Sequence, residues 1–123
     1  MPKTDKQTLG SLGERYARRH LEAKGYRILE QNWRYRRSEI DLIAMDGDIM
    51  VFVEIKTRTQ DYFGGPTGTV DAKQQGRLSR AAGAYMEQCG HDWEIRFDII
   101  GILIEENGDY KLEHVEDAWW PGL

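Results

Sequence analysis

Three side chains suited to hydrolytic chemistry lie on two adjacent runs of strand-forming residues. Asp41 belongs to the run 38–44, whereas Glu54 and Lys56 belong to the run 49–58. Carboxylate oxygens are the ligands that hard divalent cations prefer, and a neighbouring lysine can orient or activate a metal-bound water. These residue types predict a metal site in which Asp41 and Glu54 are ligands and Lys56 lies beside the water.

The geometry of this site depends on the turn between the two runs. Asp46, Gly47 and Asp48 are typical of a tight hairpin turn. If Gly47 and Asp48 are the two loop residues, Asp41 lies directly opposite Glu54, whereas another loop length would shift the register and separate them. Side chains alternate along a strand, so Glu54 and Lys56 should share one face, about 7 Å apart.

An alternative interpretation is a solvated, salt-bridged strand face with Asp41 as a turn or cap residue. Both carboxylates, however, are set in strongly apolar strands, where an unpaired charge is costly. Charged groups that persist in such a place usually have a function or a partner. This context favours the metal site.

Length and composition predict one domain, residues 1–123, with 116–123 as a C-terminal tail. No apolar run approaches the length that spans a bilayer, and no signal sequence opens the chain. The single cysteine, Cys89, forms no internal disulfide and argues against a cysteine-based metal site. We therefore expect a cytoplasmic protein without a membrane partner.

The formal net charge of −4 argues at first against a nucleic-acid partner, but the charges are unevenly distributed. Residues 1–86 contain 15 Lys and Arg against 11 Asp and Glu, whereas residues 87–123 contain 2 against 10. A basic body with an acidic C-terminal region is compatible with a local phosphate-binding face.

Two stretches are candidates for that face. Residues 32–37 are predicted to be a connection in which Arg34, Arg36 and Arg37 alternate with aromatic residues. This composition suits phosphate contact and base stacking, and equally a solvated loop with one buried aromatic ring. In the second predicted helix, Lys73, Arg77 and Arg80 share a face that either follows a phosphate backbone or is simply solvated.

The first predicted element is a helix from Thr4 to Lys24, with Thr4 and Gln7 as a capping box and Lys24-Gly25 as its end. Its predicted apolar stripe is Leu9, Leu12, Tyr16 and His20, with Ala17 and Leu21 on the neighbouring edge. Gly10 and Gly13 lower the stability of a helix. Glycine at these positions is explained if another backbone approaches the helix closely.

The remaining elements complete an α/β layout. A short strand is predicted at 26–30, the hairpin at 38–58 and an irregular loop at 57–69. A helix follows at 70–88, with Leu78, Ala81, Ala82 and Tyr85 buried. The last predicted elements are a strand at 93–104 with Arg96 and Asp98 on one side, a turn at 105–109 and an edge strand at 110–115. Helix, three strands, helix and one or two strands form a mixed sheet flanked by helices, because the second helix crosses over to a parallel partner. The tail tryptophans, Trp119 and Trp120, either pack on this body or cover a partner's surface in a dimer.

The pattern Asp41…Glu54-x-Lys56 resembles the restriction-endonuclease-like nuclease superfamily, whose core has the order α-β-β-β-α-β. Further stretches resemble the YraN-like bacterial family over nearly the whole chain. They are Leu12-Gly13-Glu14 with Ala17 and Leu21, Gly25-Tyr26, Asn32-Trp33-Arg34, Glu39-Ile40-Asp41-Leu42-Ile43, Phe52-Val53-Glu54-Ile55-Lys56-Thr57-Arg58, Lys73 with Leu78, and Arg96-Phe97-Asp98. Ser38 departs from the pattern, because the family usually has glycine there.

This resemblance implies nuclease chemistry of the Holliday-junction-resolvase type. Asp41, Glu54 and the backbone carbonyl of Ile55 would hold Mg²⁺ (or Mn²⁺), and Lys56 would position the attacking water. Glu14 would be the helix carboxylate that approaches the metal, and Lys73 would be the basic residue of the second helix that faces the site. The expected DNA contacts are Arg34, Arg36, Arg37, Arg58, Lys73, Arg77 and Arg80.

Three functions compete on this basis. The first is a metal-dependent endonuclease acting on DNA, including branched or damaged DNA in repair or recombination, for which a symmetric homodimer would suit two scissile strands. The second is a non-catalytic nucleic-acid-binding module on a nuclease scaffold. The third is an adaptor protein that recruits a partner through its acidic region and Trp119-Trp120. The two acids and the lysine favour the endonuclease, because a protein that only binds DNA gains little from carboxylates that repel the phosphate at its binding site.

Overall fold

The computed structural model describes residues 6–59 and 70–120, except for the side chains of residues 6–8. Its elements in chain order are α1 (Lys6–Ala23), β1 (Arg27–Tyr35), β2 (Ser38–Asp46), β3 (Ile49–Arg58), α2 (Ala72–Cys89), β4 (Ile95–Ile104) and β5 (Tyr110–Val115). The strands form one sheet in the order β1-β2-β3-β4-β5. Among the strands of the described residues, only β3 and β4 pair in parallel. The expected α/β fold with a restriction-endonuclease-like core is confirmed.

The two faces of the sheet bury separate cores. On one face, Val51, Val53 and Ile100 pack with Ala17 and Leu21 of α1. The other face packs against α2 through a cluster that includes Ile43, Phe52, Phe97, Leu78, Ala81, Ala82 and Tyr85. Neighbouring residues of β3 therefore point to different helices, as the alternation along the strand predicts. No helix of the described chain is long and apolar enough to cross a membrane.

The first helix confirms the predicted element but not its buried stripe. The predicted capping box, Thr4 with Gln7, lies outside the described residues and side chains. The helix ends at Ala23, one residue before the predicted end, and Gly25 takes a φ of 92°. Ala17 and Leu21 are fully buried, whereas Leu9, Leu12, Tyr16 and His20 are only half-buried. The side of α1 that faces the sheet thus runs along Gly13, Ala17 and Leu21, all of which are buried.

The predicted connection at 32–37 is wrong, because β1 continues through these residues to Tyr35. The register shifts between Ile28 and Glu30, and Asn32 takes a φ of 54°. A bulge adds an unpaired residue and breaks the strict alternation that marks a strand in sequence. The actual turn is only Arg36-Arg37, since Tyr35 pairs with Ser38.

The predicted loop at 57–69 also begins too early, because β3 runs to Arg58. The rest of that loop, residues 60–69, lies outside the described residues. The second helix confirms its predicted stripe, since Leu78, Ala81, Ala82 and Tyr85 are its buried residues. It begins two residues later than predicted, after Asp71, whose side chain accepts a hydrogen bond from the backbone N–H of Gln74.

A buried ionic network holds the C-terminal region against the sheet. Asp98 is fully buried, and its two oxygens accept hydrogen bonds from Arg96 at 2.9 and 3.0 Å. His114 Nε2 lies 2.7 Å from Asp98 Oδ2, and the backbone N–H of Asp117 donates to Oδ1 at 3.1 Å. The predicted shared side of Arg96 and Asp98 is confirmed. Asp117, two positions beyond the end of β5, is thereby fixed to the centre of β4.

The two tail tryptophans, Trp119 and Trp120, differ in whether they pack on the body of the protein. Trp119 packs on the body, with its ring stacked on Phe97 at a centroid distance of 4.2 Å, and the backbone N–H of Ala118 donates to the carbonyl of Phe97 at 2.7 Å. Trp120 is 58 % exposed. Packing on the body is confirmed for Trp119 and is wrong for Trp120.

Candidate active site

The two central acids meet where the ladder between β2 and β3 ends. Asp46 pairs with Ile49, which leaves Gly47 and Asp48 as a two-residue loop, and the last pair of the ladder is Leu42 with Val53. In this register Asp41 is the residue opposite Glu54, as expected. Beyond the last pair, the backbone N–H of Ile55 donates to Asp41 Oδ2 at 2.7 Å. The Asp41 carboxylate thus takes the place of a main-chain acceptor at the end of the ladder.

An irregularity of the sheet directs Asp41 towards α1. Ile43 and Ile40 both pack in the core under α2, although strict alternation would place residues three apart on opposite faces. Asp41 instead lines a pocket beside α1. The residue opposite in β1 is Asn32, which has a positive φ and makes no ladder pair, since the pairs on either side are Gln31 with Leu42 and Trp33 with Ile40. Such irregularities redirect side chains next to functional sites.

Glu54 is held from the other side of the sheet. The side-chain amide of Gln74, in the first turn of α2, donates to Glu54 Oε2 at 2.6 Å. The same residue is positioned by the helix cap, because its backbone N–H donates to Asp71 at 2.8 Å. The start of α2 therefore fixes the orientation of the Glu54 carboxylate.

Asp41 and Glu14 share a pocket of about 380 Å³ between α1 and the sheet. Leu9 and Gly10 of α1 and Ile55 and Thr57 of β3 complete its lining. Glu14 Oε1 accepts a hydrogen bond of 3.3 Å from Asn32 Nδ2. The structure thus brings the helix carboxylate to the pocket into which Asp41 opens.

Both acids have a raised proton affinity, and burial is the largest cause for each. Burial, followed by the charge of Glu54, raises the pKa of Asp41 to about 8. Burial also raises the pKa of Glu54, and its interactions with Asp41, Lys56 and Gln74 offset only part of that effect. Two carboxylates in one poorly solvated place cannot both ionise readily. Near neutral pH, Asp41 retains a proton that it shares with Glu54.

A hard divalent cation fits this donor set. Carboxylate oxygens in a water-accessible pocket are suitable ligands, and Mg²⁺ is commonly bound through one or two carboxylates with water completing the shell. Burial and the charge of Glu54 raise the pKa of Asp41, and a cation bound to its carboxylate would favour the ionised form. No group of three or more His, Cys, Asp or Glu residues in the described chain is arranged as metal ligands. Water and backbone oxygen would therefore have to complete the shell around Asp41 and Glu54.

Lys56 follows Glu54 on the same face of β3 and is half-buried. Its charge acts on the Glu54 carboxylate, whose pKa it lowers against the effect of burial. The lysine is thus placed beside the acid pair, as the spacing predicts. Lys73 lies on the exposed surface at the start of α2, and it is the next residue, Gln74, that reaches the acids.

The candidate DNA contacts occupy several places. Arg36 and Arg37 form the β1–β2 turn, and Arg77 and Arg80 lie on the exposed side of α2; all four are exposed. Arg34 is exposed too, but forms an ion pair with Glu39 at 3.2 Å. Arg58, at the end of β3, is half-buried. Arg36, Arg37, Arg77 and Arg80, which form no ion pair with another described residue, line one pocket beside the β1–β2 turn. Arg58 instead ends β3, the strand that carries Glu54.

Two residues of the site were missed in the sequence. Gln74 gave no signal, because a glutamine in the first turn of a helix is an ordinary helix residue. Asn32 offered one clue, since asparagine is among the residues that tolerate a positive φ. Its role depends on a contact with Glu14, 18 positions away in the chain, which no local pattern predicts.

Comparison with known proteins identifies close relatives over nearly the full length. The model of the Uncharacterised protein family UPF0102 matches residues 13–102. A UPF0102 protein of Chlorobaculum tepidum is 42% identical over 122 residues, which cover 94% of this chain and 95% of that protein. A UPF0102 protein of Alkaliphilus oremlandii is 44% identical over 115 residues, covering 90% of this chain and 97% of the relative.

Among solved structures, one similar chain is described as the structure of Pyrococcus furiosus SfsA in complex with Ca²⁺. The TM-score is 0.41 and the sequence identity 17%, over 91% of this chain and 64% of the other. The matched family segment begins in α1 and ends in β4, so it contains both acids, Lys56 and Glu14. This chain belongs to the UPF0102 family, which confirms the YraN-like resemblance of its sequence.

Proposed function

We propose that this protein is a metal-dependent endonuclease that hydrolyses phosphodiester bonds in DNA. The observation that carries the proposal is the half-buried pair of Asp41 and Glu54, with Lys56 beside it, at the end of a hairpin in a restriction-endonuclease-like core. A structural role accounts poorly for this pair, because two adjacent, half-buried acids destabilise the fold unless a proton or a cation neutralises at least one of them.

The side chains have distinct roles in this proposal. A bound Mg²⁺ or Mn²⁺ supplies charge stabilisation for the phosphate and lowers the pKa of a coordinated water. Asp41 and Glu54 would hold the cation, with the carbonyl of Ile55, and Gln74 keeps Glu54 in its orientation. Lys56 donates to the attacking oxygen from the same strand. Glu14 lies across the pocket from the sheet and orients water there.

The test measures metal binding and cleavage in the same variants. Titration calorimetry with Mn²⁺ on a non-cleavable branched DNA should show metal binding to the wild type and none to the Asp41→Asn/Glu54→Gln double variant. On cleavable branched DNA, each single substitution should reduce the Mg²⁺-dependent rate at least about 100-fold. Lys56→Met should reduce the rate while metal binding persists, because lysine is not a ligand.

Asp48→Asn is the matched control, because it removes an exposed carboxylate at the opposite end of the same hairpin. It should bind metal and cleave DNA as the wild type does. Cleavage that continues unchanged in Asp41→Asn or Glu54→Gln would remove these acids from the mechanism.

A non-catalytic nucleic-acid-binding module is the second candidate. One observation favours it: the described residues contain no three-ligand cluster of the kind that holds a metal without help from water. This function predicts salt-dependent DNA binding without Mg²⁺-dependent cleavage of any DNA. The single, exposed Cys89 agrees with a reducing cytoplasm for either function.

A further inference from the structure

A groove lies between the end of β1 and the exposed side of α2. Trp33, Tyr35 and Arg36 line it from β1 and its turn, and Arg80 and Gly83 line it from α2. Its volume is about 690 Å³. A smaller pocket of about 360 Å³ adjoins it, shares Tyr35, Arg36 and Arg80, and adds Arg37 and Arg77. We call the two together the aromatic–basic groove.

We propose that the aromatic–basic groove binds an unpaired DNA strand, so that the substrate is DNA with a single-stranded segment next to the scissile bond. This inference rests on the proposed nuclease function and specifies its substrate. The groove selects the substrate, and Asp41 and Glu54 remain the residues for cleavage.

The aromatic rings favour an unpaired strand over a duplex. Trp33 and Tyr35 project from the same face of β1, with ring planes 2° apart and centroids 6.3 Å apart. Both are only half-buried although they are large, so part of their surface faces the groove. Bases stack on such rings in single-strand binding, whereas the faces of bases within a duplex are already covered by their neighbours.

The cations of the groove are available for phosphates. Among the residues that the structure describes, no carboxylate lies within ion-pair distance of Arg36, Arg37, Arg77 or Arg80, whereas Arg34 on the same strand is paired with Glu39. The guanidinium of Arg36 lies 5.2 Å from the ring centroid of Tyr35. An arginine stacked on an aromatic ring combines a phosphate contact with a stacking surface.

Two residues restrict where the bound DNA strand lies in the groove. Glu87 lines the groove near the end of α2, and its negative charge repels phosphates towards Arg36 and Arg80. Gly83 leaves open space, because a Cβ built there meets no atom within 4 Å. A base therefore has room over Gly83, with its phosphate on the arginine side.

Helix α2 connects the groove to the acids. Gln74, which contacts Glu54, is six residues before Arg80 and nine before Gly83. At a rise of 1.5 Å per residue, these separations are about 9 and about 14 Å along the helix. At about 3.4 Å for each base step of a stacked strand, the groove begins roughly two to four nucleotides from the scissile phosphate.

Fluorescence anisotropy tests the inference without cleavage. The Glu54→Gln protein in EDTA is titrated with a labelled oligothymidylate of 12 nucleotides and with a blunt duplex of equal length. The single strand should bind at least about tenfold more tightly than the duplex. Equal affinities, or no binding of the single strand at low salt, would overturn the inference.

Two variants locate the binding. On the same Glu54→Gln background, Gly83→Trp should fill the groove and weaken single-strand binding about tenfold, with duplex binding unchanged within about twofold. The Gly83 site has space for a larger side chain, so helix content by circular dichroism should remain. Arg80→Ala should lower the slope of log affinity against log salt by about 0.7 for the single strand. Wild-type single-strand affinity in a folded Gly83→Trp protein would overturn the inference.

Tyr110→Ala is the matched control, because Tyr110 is 44% exposed and stacks on Tyr16, away from the groove. It should bind the single strand as the background protein does. Failure of the two proposals can be distinguished, since this binding is measured without metal or cleavage. If groove variants change single-strand affinity but acid variants do not change cleavage, only the proposed catalytic site fails.

Discussion

Gly13 of α1 lies directly against Thr57 of β3. A Cβ at Gly13 would overlap the Thr57 hydroxyl and lie 3.0 Å from its Cβ. The glycine thus allows the helix to approach the end of β3 where the acids lie. Since Glu14 is the next residue, this contact also sets the position of the helix carboxylate at the pocket.

We expect Gly13→Ala to lower the free energy of unfolding by about 1 to 3 kcal/mol, because the new methyl group forces the helix away from the sheet. Urea denaturation measures the change. Gly10→Ala is the control on the same helix: nothing lies within 4 Å of a Cβ there, so the protein should gain up to about 1 kcal/mol from better helix propensity.

The Gly13 prediction has a second check. Thr57→Ala removes the hydroxyl and methyl groups that the new Cβ would meet, so the double variant should recover part of the loss. Additive effects of the two substitutions would show that the contact with Thr57 is not the cause.

The second prediction concerns the pH dependence of stability. The folded protein keeps the Asp41 proton up to a pKa of about 8, whereas the unfolded chain releases it near 3.8. The wild type therefore loses stability as the pH rises between these values. Asp41→Asn has no such proton, and without metal it should be more stable than the wild type at pH 9, by on the order of 2 kcal/mol.

Urea denaturation of both proteins in EDTA, from pH 4 to 9, tests this expectation. The difference should shrink as the pH falls towards 4, because the unfolded chain then begins to bind the proton that the folded protein already holds. The exposed Asp48→Asn serves as the control and should follow the wild type. An Asp41→Asn protein that is less stable than the wild type at pH 9 would contradict the raised pKa.

The third prediction concerns proton release on metal binding. Because Asp41 retains a proton near neutral pH, a cation that binds to its carboxylate must displace it. Titration of Mn²⁺ at pH 7 in buffers of different ionisation enthalpy should give a release of about one proton per ion. The Asp41→Asn protein should release none, and a buffer-independent enthalpy for the wild type would refute the prediction.

The fourth prediction concerns Asp98. Its removal in Asp98→Ala leaves Arg96, whose side chain is 12 % exposed, without its principal partner. Breaking one side of a buried ion pair typically costs about 3 to 5 kcal/mol, and we expect a loss of this size at pH 7. Glu39→Ala, which breaks the exposed pair with Arg34, should cost less than about 1 kcal/mol.

Asp98 also has a predicted pH dependence. Burial alone would raise the pKa of Asp98, but hydrogen bonds from His114, Arg96 and the backbone of Asp117 outweigh burial and lower it. A lowered pKa stabilises the fold above the ordinary value of 3.8 and loses that effect as the pH falls through the folded value. The difference between wild type and Asp98→Ala should therefore narrow below about pH 4.

Elements with strong local signals were predictable from the sequence. The Asp-Gly-Asp turn set the two-residue loop, and with it the register that places Asp41 opposite Glu54. The spacing of Leu78, Ala81, Ala82 and Tyr85 identified the buried side of α2. In both cases, neighbours in the sequence determine the geometry.

The incorrect predictions concern elements whose conformation depends on residues distant in the sequence. The bulge and the positive φ of Asn32 disguised the second half of β1 as a connection. The contacts of Glu54 with Gln74 and of Asn32 with Glu14 join different elements, so no spacing within one element reveals them. The aromatic–basic groove likewise forms only when β1 and α2 pack against each other.

The anchoring of Asp98 has a consequence for biosynthesis. Its carboxylate lies in the middle of β4, yet two of its partners, His114 and Asp117, are 16 and 19 positions further along the chain. While a nascent chain still holds those positions inside the ribosome, burying β4 would bury a carboxylate that only Arg96 neutralises. The set of partners around the buried Asp98 carboxylate is therefore complete only once His114 and Asp117 can reach β4.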